Sequence, residues 1–137
     1  MTSSGMEFRM SKKRRAVVAV VFGLMLFTGC GAGKEDVVSH ISRFQNALEV
    51  AGATPRIALS SPVEQMQTIK MELETLKLGF GASKPLRDAR AKAVEGMGHT
   101  IQGFLAFMQG REAMSSYYFL ESGEALQEAH ALLSKCH

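Results

Sequence analysis

The side chains best suited to acid–base, nucleophilic or metal chemistry are four histidines, His40, His99, His130 and His137, and two cysteines, Cys30 and Cys136. Glu95 and His99 stand four apart and can touch across one turn of a helix, as a solvated hydrogen-bonded pair. Glu128 and His130 stand two apart, on different helix faces. Gln127 holds the position where the Glu-x-x-His pair of a bundle metal site needs a carboxylate. No G-x-S-x-G, H-E-x-x-H, Walker or dinucleotide fingerprint occurs. The expectation is therefore a chain that is not an enzyme, with no catalytic residues, no metal ligand set and no cofactor.

Two constellations leave room for a ligand. Phe104, Met108, Tyr117 and Tyr118 lie close enough in sequence to line an apolar pocket between two consecutive helices. The closing "LSKCH", residues 133–137, overlaps the C-x-x-C-H pattern of covalent haem attachment. In that respect it resembles cytochromes c′, four-helix bundles with the motif near their end. Cys136 and His137 match the second Cys and the His, but Leu133 replaces the first Cys, which leaves one thioether on a terminal residue. Cys136 otherwise fits an apolar stripe as a core residue. In an oxidising compartment it is also a candidate for an intermolecular disulfide.

Cys30 sits in a different context. Lys12, Lys13, Arg14 and Arg15 form a positive cluster, followed by the apolar run "AVVAVVFGLMLF" at residues 16–27. At about 1.5 Å per residue that run reaches about 20 Å, short of a bilayer's hydrocarbon core. It has the proportions of a signal-peptide h-region. Phe27-Thr28-Gly29-Cys30 then resembles the lipobox of bacterial lipoproteins: an aliphatic residue, two small residues and a cysteine. Phe27 stands where the pattern usually has Leu. The resemblance implies acylation of the Cys30 sulfur, cleavage just before it, and acylation of the new amino group. Pairing of Cys30 with Cys136 is excluded if that sulfur carries lipid. Met10 begins a leader of usual length, and Gly31, rather than Asp, follows the cysteine. The resemblance thus implies a bacterial envelope protein, lipid-anchored in the outer membrane and facing the periplasm.

The charge distribution agrees with a discarded leader. Residues 1–29 hold five basic residues against one acid, whereas residues 30–137 hold eleven against twelve. The formal net charge of +3 belongs to the leader, and the remainder has no basic cluster to neutralise a phosphate backbone, so nucleic acid is not an expected partner.

The elements behind these residues read as helices. After a flexible tether over residues 30–36, Val37, Ile41, Phe44, Leu48 and Ala51 share one helical face, and Gly52 suits a helix end. The loop "AGATPRIALS" follows, with Ile57 and Leu59 expected in the core. Ser61, Pro62 and Glu64 spell an N-cap, a first-turn proline and a capping box. That helix runs through Met66, Ile69, Leu73 and Leu76 to Gly79, with Met71 and Leu78 marking a second apolar face. A third helix starts between Ser83 and Pro85 and carries Val94, Met97, Ile101, Phe104 and Met108. Ala89, Gly96, Gly103 and Gly110 recur every seven residues along it, a stripe that lets a neighbour approach closely. A last helix follows Gly110, with Phe119, Ser122, Leu126, Ala129, Leu133 and Cys136 on one face.

No segment alternates with a strand's period of two, and the loops are short, which favours antiparallel neighbours. The expected fold is all-α, an antiparallel up-down-up-down four-helix bundle over residues 37–137. The function that follows is a membrane-anchored, non-catalytic factor that binds or assembles an envelope protein partner. The alternatives are a carrier of an apolar ligand between the helices and a single-thioether haem protein.

Overall fold

The computed structural model describes residues 31–136. Four helices account for most of them: α1 Lys34–Gly52, α2 Ser60–Thr75, α3 Lys84–Met108 and α4 Glu112–Ser134, with a 3₁₀ turn at Arg56–Ala58. They form the expected all-α, antiparallel up-down-up-down four-helix bundle, and no strand occurs among the described residues. Residues 1–29, where a leader is expected, together with Cys30 and His137, lie outside the described residues.

The periodic stripes become the core. Val37, Ile41, Phe44 and Ala51 of α1 are buried, with Ala47 beside them and Leu48 half-buried at the edge. They meet Met66, Ile69 and Leu73 of α2 and Leu86, Ala89, Ala93, Met97, Ile101 and Phe104 of α3. Ala129, Leu133 and Cys136 of the last segment close the core. Burial of these faces, rather than helix propensity, is the main source of helix stability here.

The first helix begins earlier than its apolar period. Lys34, Glu35 and Asp36 are already helical, with Glu35 and Asp36 suited to the positive end of the helix dipole. Residues 31–33 are not a free leash. A Cβ on Gly79 would lie 2.6 Å from the Cβ of Ala32, so this segment packs directly on the α2–α3 loop. Small residues on both sides permit that contact.

At the other end of α1, the loop departs from expectation in one residue. Leu59 is buried, but Ile57 is 95% exposed. The 3₁₀ turn at Arg56–Ala58 directs Ile57 outward, while the Arg56 guanidinium covers the Phe107 ring at 4.4 Å. The same turn overrides the capping box. Leu59 is already in the helical region, and its carbonyl accepts from Val63 N–H at 3.1 Å. The α2 helix therefore starts at Ser60, its N-cap is Leu59, and Ser61 makes no cap hydrogen bond. Pro62 remains within the first turn, where its missing N–H costs nothing.

α2 ends at Thr75, before Gly79. Leu76 turns to an extended conformation, and Arg90 of α3 donates to the carbonyls of Leu73 and Leu76 at 3.3 and 2.6 Å. A helix end left without intrahelical partners is thus satisfied from a neighbouring element. The start of α3 is as read: Ser83 Oγ accepts from Leu86 N–H at 3.3 Å, with Pro85 in the first turn. α3 continues unbroken through Gly96-Met97-Gly98 for 25 residues, about 37 Å at the usual helical rise. It ends on a Schellman motif. Gly110, at φ +77°, supplies the left-handed residue, Gly110 N–H donates to Phe107 and Arg111 N–H to Ala106.

The topology gives the bundle two distinct ends. Residues 31–34, the α2–α3 loop and the end of α4 share the proximal end. The 3₁₀ turn and the α3–α4 turn share the distal end.

Candidate functional site

The closest helix pair is α3 with α4, and small residues make it so. A Cβ on Gly96 would lie 2.7 Å from Leu126 Cγ, and one on Gly103 2.6 Å from Phe119 Cε1. The seven-residue stripe therefore does place a neighbour against α3. Polar groups are buried in the same seam. Thr100 Oγ1 donates to Gly96 O at 3.0 Å and shares a hydrogen bond with Ser122 Oγ. Ser115 Oγ donates to Gly103 O at 2.9 Å. Sequence reading placed Ser122 on the stripe but missed Thr100 and Ser115 as its polar companions. The spacing of Thr100 from Gly96 and Gly103, by 4 and 3 along α3, was the available signal.

On the solvent side the seam is laced by charge. Lys92 Nζ lies 3.3 Å from Glu95 and 3.4 Å from Glu128 of α4. Its ammonium is held above the ordinary lysine range by the hydrogen bond to Glu95 and then by Glu128. Glu95 also lies 3.8 Å from His99, close as expected across one turn but beyond hydrogen-bond distance, and His99 stacks on Tyr118 with ring centroids 6.2 Å apart. His40 and Arg43 both face Glu72, and His130 lies 3.5 Å from Gln45. Among the described residues, no three of His, Cys, Asp and Glu gather as a metal ligand set would.

The four residues read as a possible ligand pocket divide into two groups. Phe104 is buried, with Phe119 edge-on to it at 5.0 Å. Met108 is half-buried against the core at the end of α3. Tyr117 and Tyr118 pack edge to face at 5.6 Å, and Tyr117 is 58% exposed. The structure pairs the tyrosines with each other and with His99, and Phe104 with Phe119. Of the methionines, Met66 and Met97 fill the core, whereas Met71 and Met114 are exposed. Leu78, expected on a second apolar face with Met71, is half-buried next to Gly33.

What remains open is a strip on α4. Met114, Tyr117 and Leu120 follow steps of three, and Leu120 is 63% exposed. Phe119 lies at the strip's inner margin, between solvent and Phe104. All four fall in the first nine residues of α4, at the distal half of the bundle. Exposed side chains of this size at adjoining positions form a contiguous apolar patch, the kind of surface that marks interaction sites. A second feature, a groove of about 590 Å³ between α1 and α2, has a mixed lining, with Arg43, Asn46, Glu64 and Gln65 beside Val50 and Ile69.

Cys136 is buried and disulfide-bonded. Among the described residues no helix is long and apolar enough to cross a membrane. In comparisons with protein-family models, with curated proteins and with solved structures, no match to this chain emerges.

Proposed function

We propose that this chain is a lipid-anchored bacterial envelope protein, held in the outer membrane and facing the periplasm, that acts without catalysis by binding or assembling a protein partner. The observation that carries the reading is the Met114–Tyr117–Leu120 strip. A helix presenting aromatic and aliphatic side chains at steps of three offers the anchors that a helix-in-groove or helix-on-helix contact uses. Leu120 is fourteen residues before the end of α4, so the strip is held about 20 Å from the proximal end. An acylated Cys30, one peptide bond from Gly31, would be within about 4 Å of that residue's Cα. The membrane and the partner would then engage opposite ends of the bundle.

Anchoring supports the reading through the leader: a positive cluster, an apolar run too short to span, and Phe27-Thr28-Gly29-Cys30. Two or three acyl chains hold a protein at a bilayer far more firmly than one. Acylation of Cys30 and a Cys30–Cys136 disulfide exclude one another, because both consume the same sulfur. Mass analysis of unreduced peptides from the protein made in a bacterium tests the choice. The expected product is an amino-terminal peptide starting at Cys30 with a thioether-linked diacylglyceryl group; a Cys30 peptide joined to the Cys136 peptide would sink the lipoprotein reading. For the partner, a photo-crosslinker at Tyr117 is expected to trap a discrete envelope protein that a crosslinker at Gln102 does not.

A further inference from the structure

Phe80 is the most exposed large apolar side chain among the described residues, at 109% of its reference area, and it packs on nothing within its own fold. It stands at the tip of the α2–α3 loop between Gly79 and Gly81, so neither neighbour shields it. The loop itself is held firmly. Ala82 N–H donates to Gly79 O at 3.0 Å, Arg87 donates to Ala82 O, and Arg90 holds Leu76 O. From Leu76 to Arg87 the chain carries Lys77, Lys84 and Arg87 and no carboxylate, although Asp88 pairs with Lys84 at 2.6 Å. The start of the described chain is on this loop: a Cβ on Gly31 would lie 2.7 Å from Gly81 O, and Ala32 touches Gly79.

We propose that the Gly79-Phe80-Gly81 tip is a membrane-contact finger. Phe80 enters the headgroup–acyl boundary of the bilayer, and Lys77, Lys84 and Arg87 meet lipid phosphates. This rests on the lipid-anchor reading for Cys30, which places the acyl chains one residue from Gly31 and so brings this loop, rather than the distal end, to the bilayer. A lone apolar side chain flanked by bases is the composition of an interfacial contact. The occupant follows from position: the point where the anchored chain enters the fold and the exposed phenyl ring are on the same loop surface. A finger of this kind would fix the tilt of the bundle and point the α4 strip away from the membrane.

The chain has no Trp, so one introduced indole reports its own surroundings without interference. The full chain carrying Phe80→Trp is produced in a bacterium, purified in detergent and reconstituted into phosphatidylethanolamine–phosphatidylglycerol vesicles with brominated acyl chains. Ile57→Trp, similarly exposed at the distal end, is the control. Blue-shifted emission from Phe80→Trp, quenched several-fold more than that of Ile57→Trp, is the expected result. Equal, weak quenching of both variants in protein whose amino-terminal peptide is acylated overturns the finger and leaves the anchor standing. If that peptide carries no acyl chain, the anchor reading falls. The finger then survives only if Phe80→Trp is still selectively quenched, and falls if it is not.

Discussion

A Cβ on Gly96 would stand 2.7 Å from Leu126 Cγ and 3.2 Å from the Leu126 backbone nitrogen, so at this point α3 meets the backbone of α4 through glycine alone. Gly96→Ala gains about 1 kcal/mol of helix propensity but must push backbone aside, and overpacking of that kind costs about 1–3 kcal/mol. A net loss of stability is expected. Gly123 offers the opposite case: nothing lies within 4 Å of the Cβ position, and the residue is helical and exposed. Gly123→Ala is expected to stabilise by up to about 1 kcal/mol, raising Tm by about 4–8 °C in a domain of this size. Thermal melts of the two variants, moving in opposite directions, check the pair.

Thr100 and Ser122 satisfy each other inside the α3–α4 seam, with Thr100 also bonded to Gly96 O. Thr100→Val leaves the Ser122 hydroxyl buried without that partner and should cost about 1–3 kcal/mol. Adding Ser122→Ala removes the stranded hydroxyl, so the double variant is expected to be less destabilised than the sum of the singles. Urea unfolding of all three, with unchanged slope, is the measurement.

Arg90 closes the end of α2 by donating to Leu73 and Leu76. Arg90→Met keeps the stem's packing and removes the donors. Loss of charged hydrogen bonds predicts a cost of about 2 kcal/mol. Local opening follows too: amide exchange should accelerate at the last turn of α2 and in the α2–α3 loop before it changes at the centre of α3.

The α4 strip separates binding from stability. Tyr117→Gln with Leu120→Gln replaces exposed apolar side chains by a good helix former. Stability is expected to stay within about 0.5 kcal/mol per site. The crosslink to the partner from a probe at Met114 should be lost. A variant that keeps both its melting curve and its crosslink would refute the binding role of this strip.

Much of the fold was legible because helical periodicity is a property of a single segment. The stripes of Val37, Ile41, Phe44 and Ala51, and of Met66, Ile69 and Leu73, needed no knowledge of their neighbours. Ser83 and Gly110 were equally readable, since a cap and a left-handed turn are satisfied by residues one to four positions away. The candidate site was less so. Tyr117 and Leu120 differ from core residues neither in type nor strongly in spacing, and only the packing of α4 shows which of its apolar residues are left outside. Phe104 looked as available as Tyr117, yet Phe119 lies edge-on against it.

The sequence by itself determined the class of the fold, the position of its four helices, the confinement of its basicity to residues 1–29 and the distinctive setting of Cys30. Tertiary structure decided where those helices begin and end, and what they expose. Ser61 lost its capping role because the turn before it was already helical, Ile57 faced solvent from a 3₁₀ turn whose Arg56 covers Phe107, and Gly31-Ala32-Gly33 settled on a loop distant in sequence, at Leu78 to Ala82. The physical reason is the range of the forces concerned. Backbone geometry and amphipathic spacing act within a few residues, whereas close packing and the satisfaction of buried polar groups are settled between segments that only the folded chain brings together.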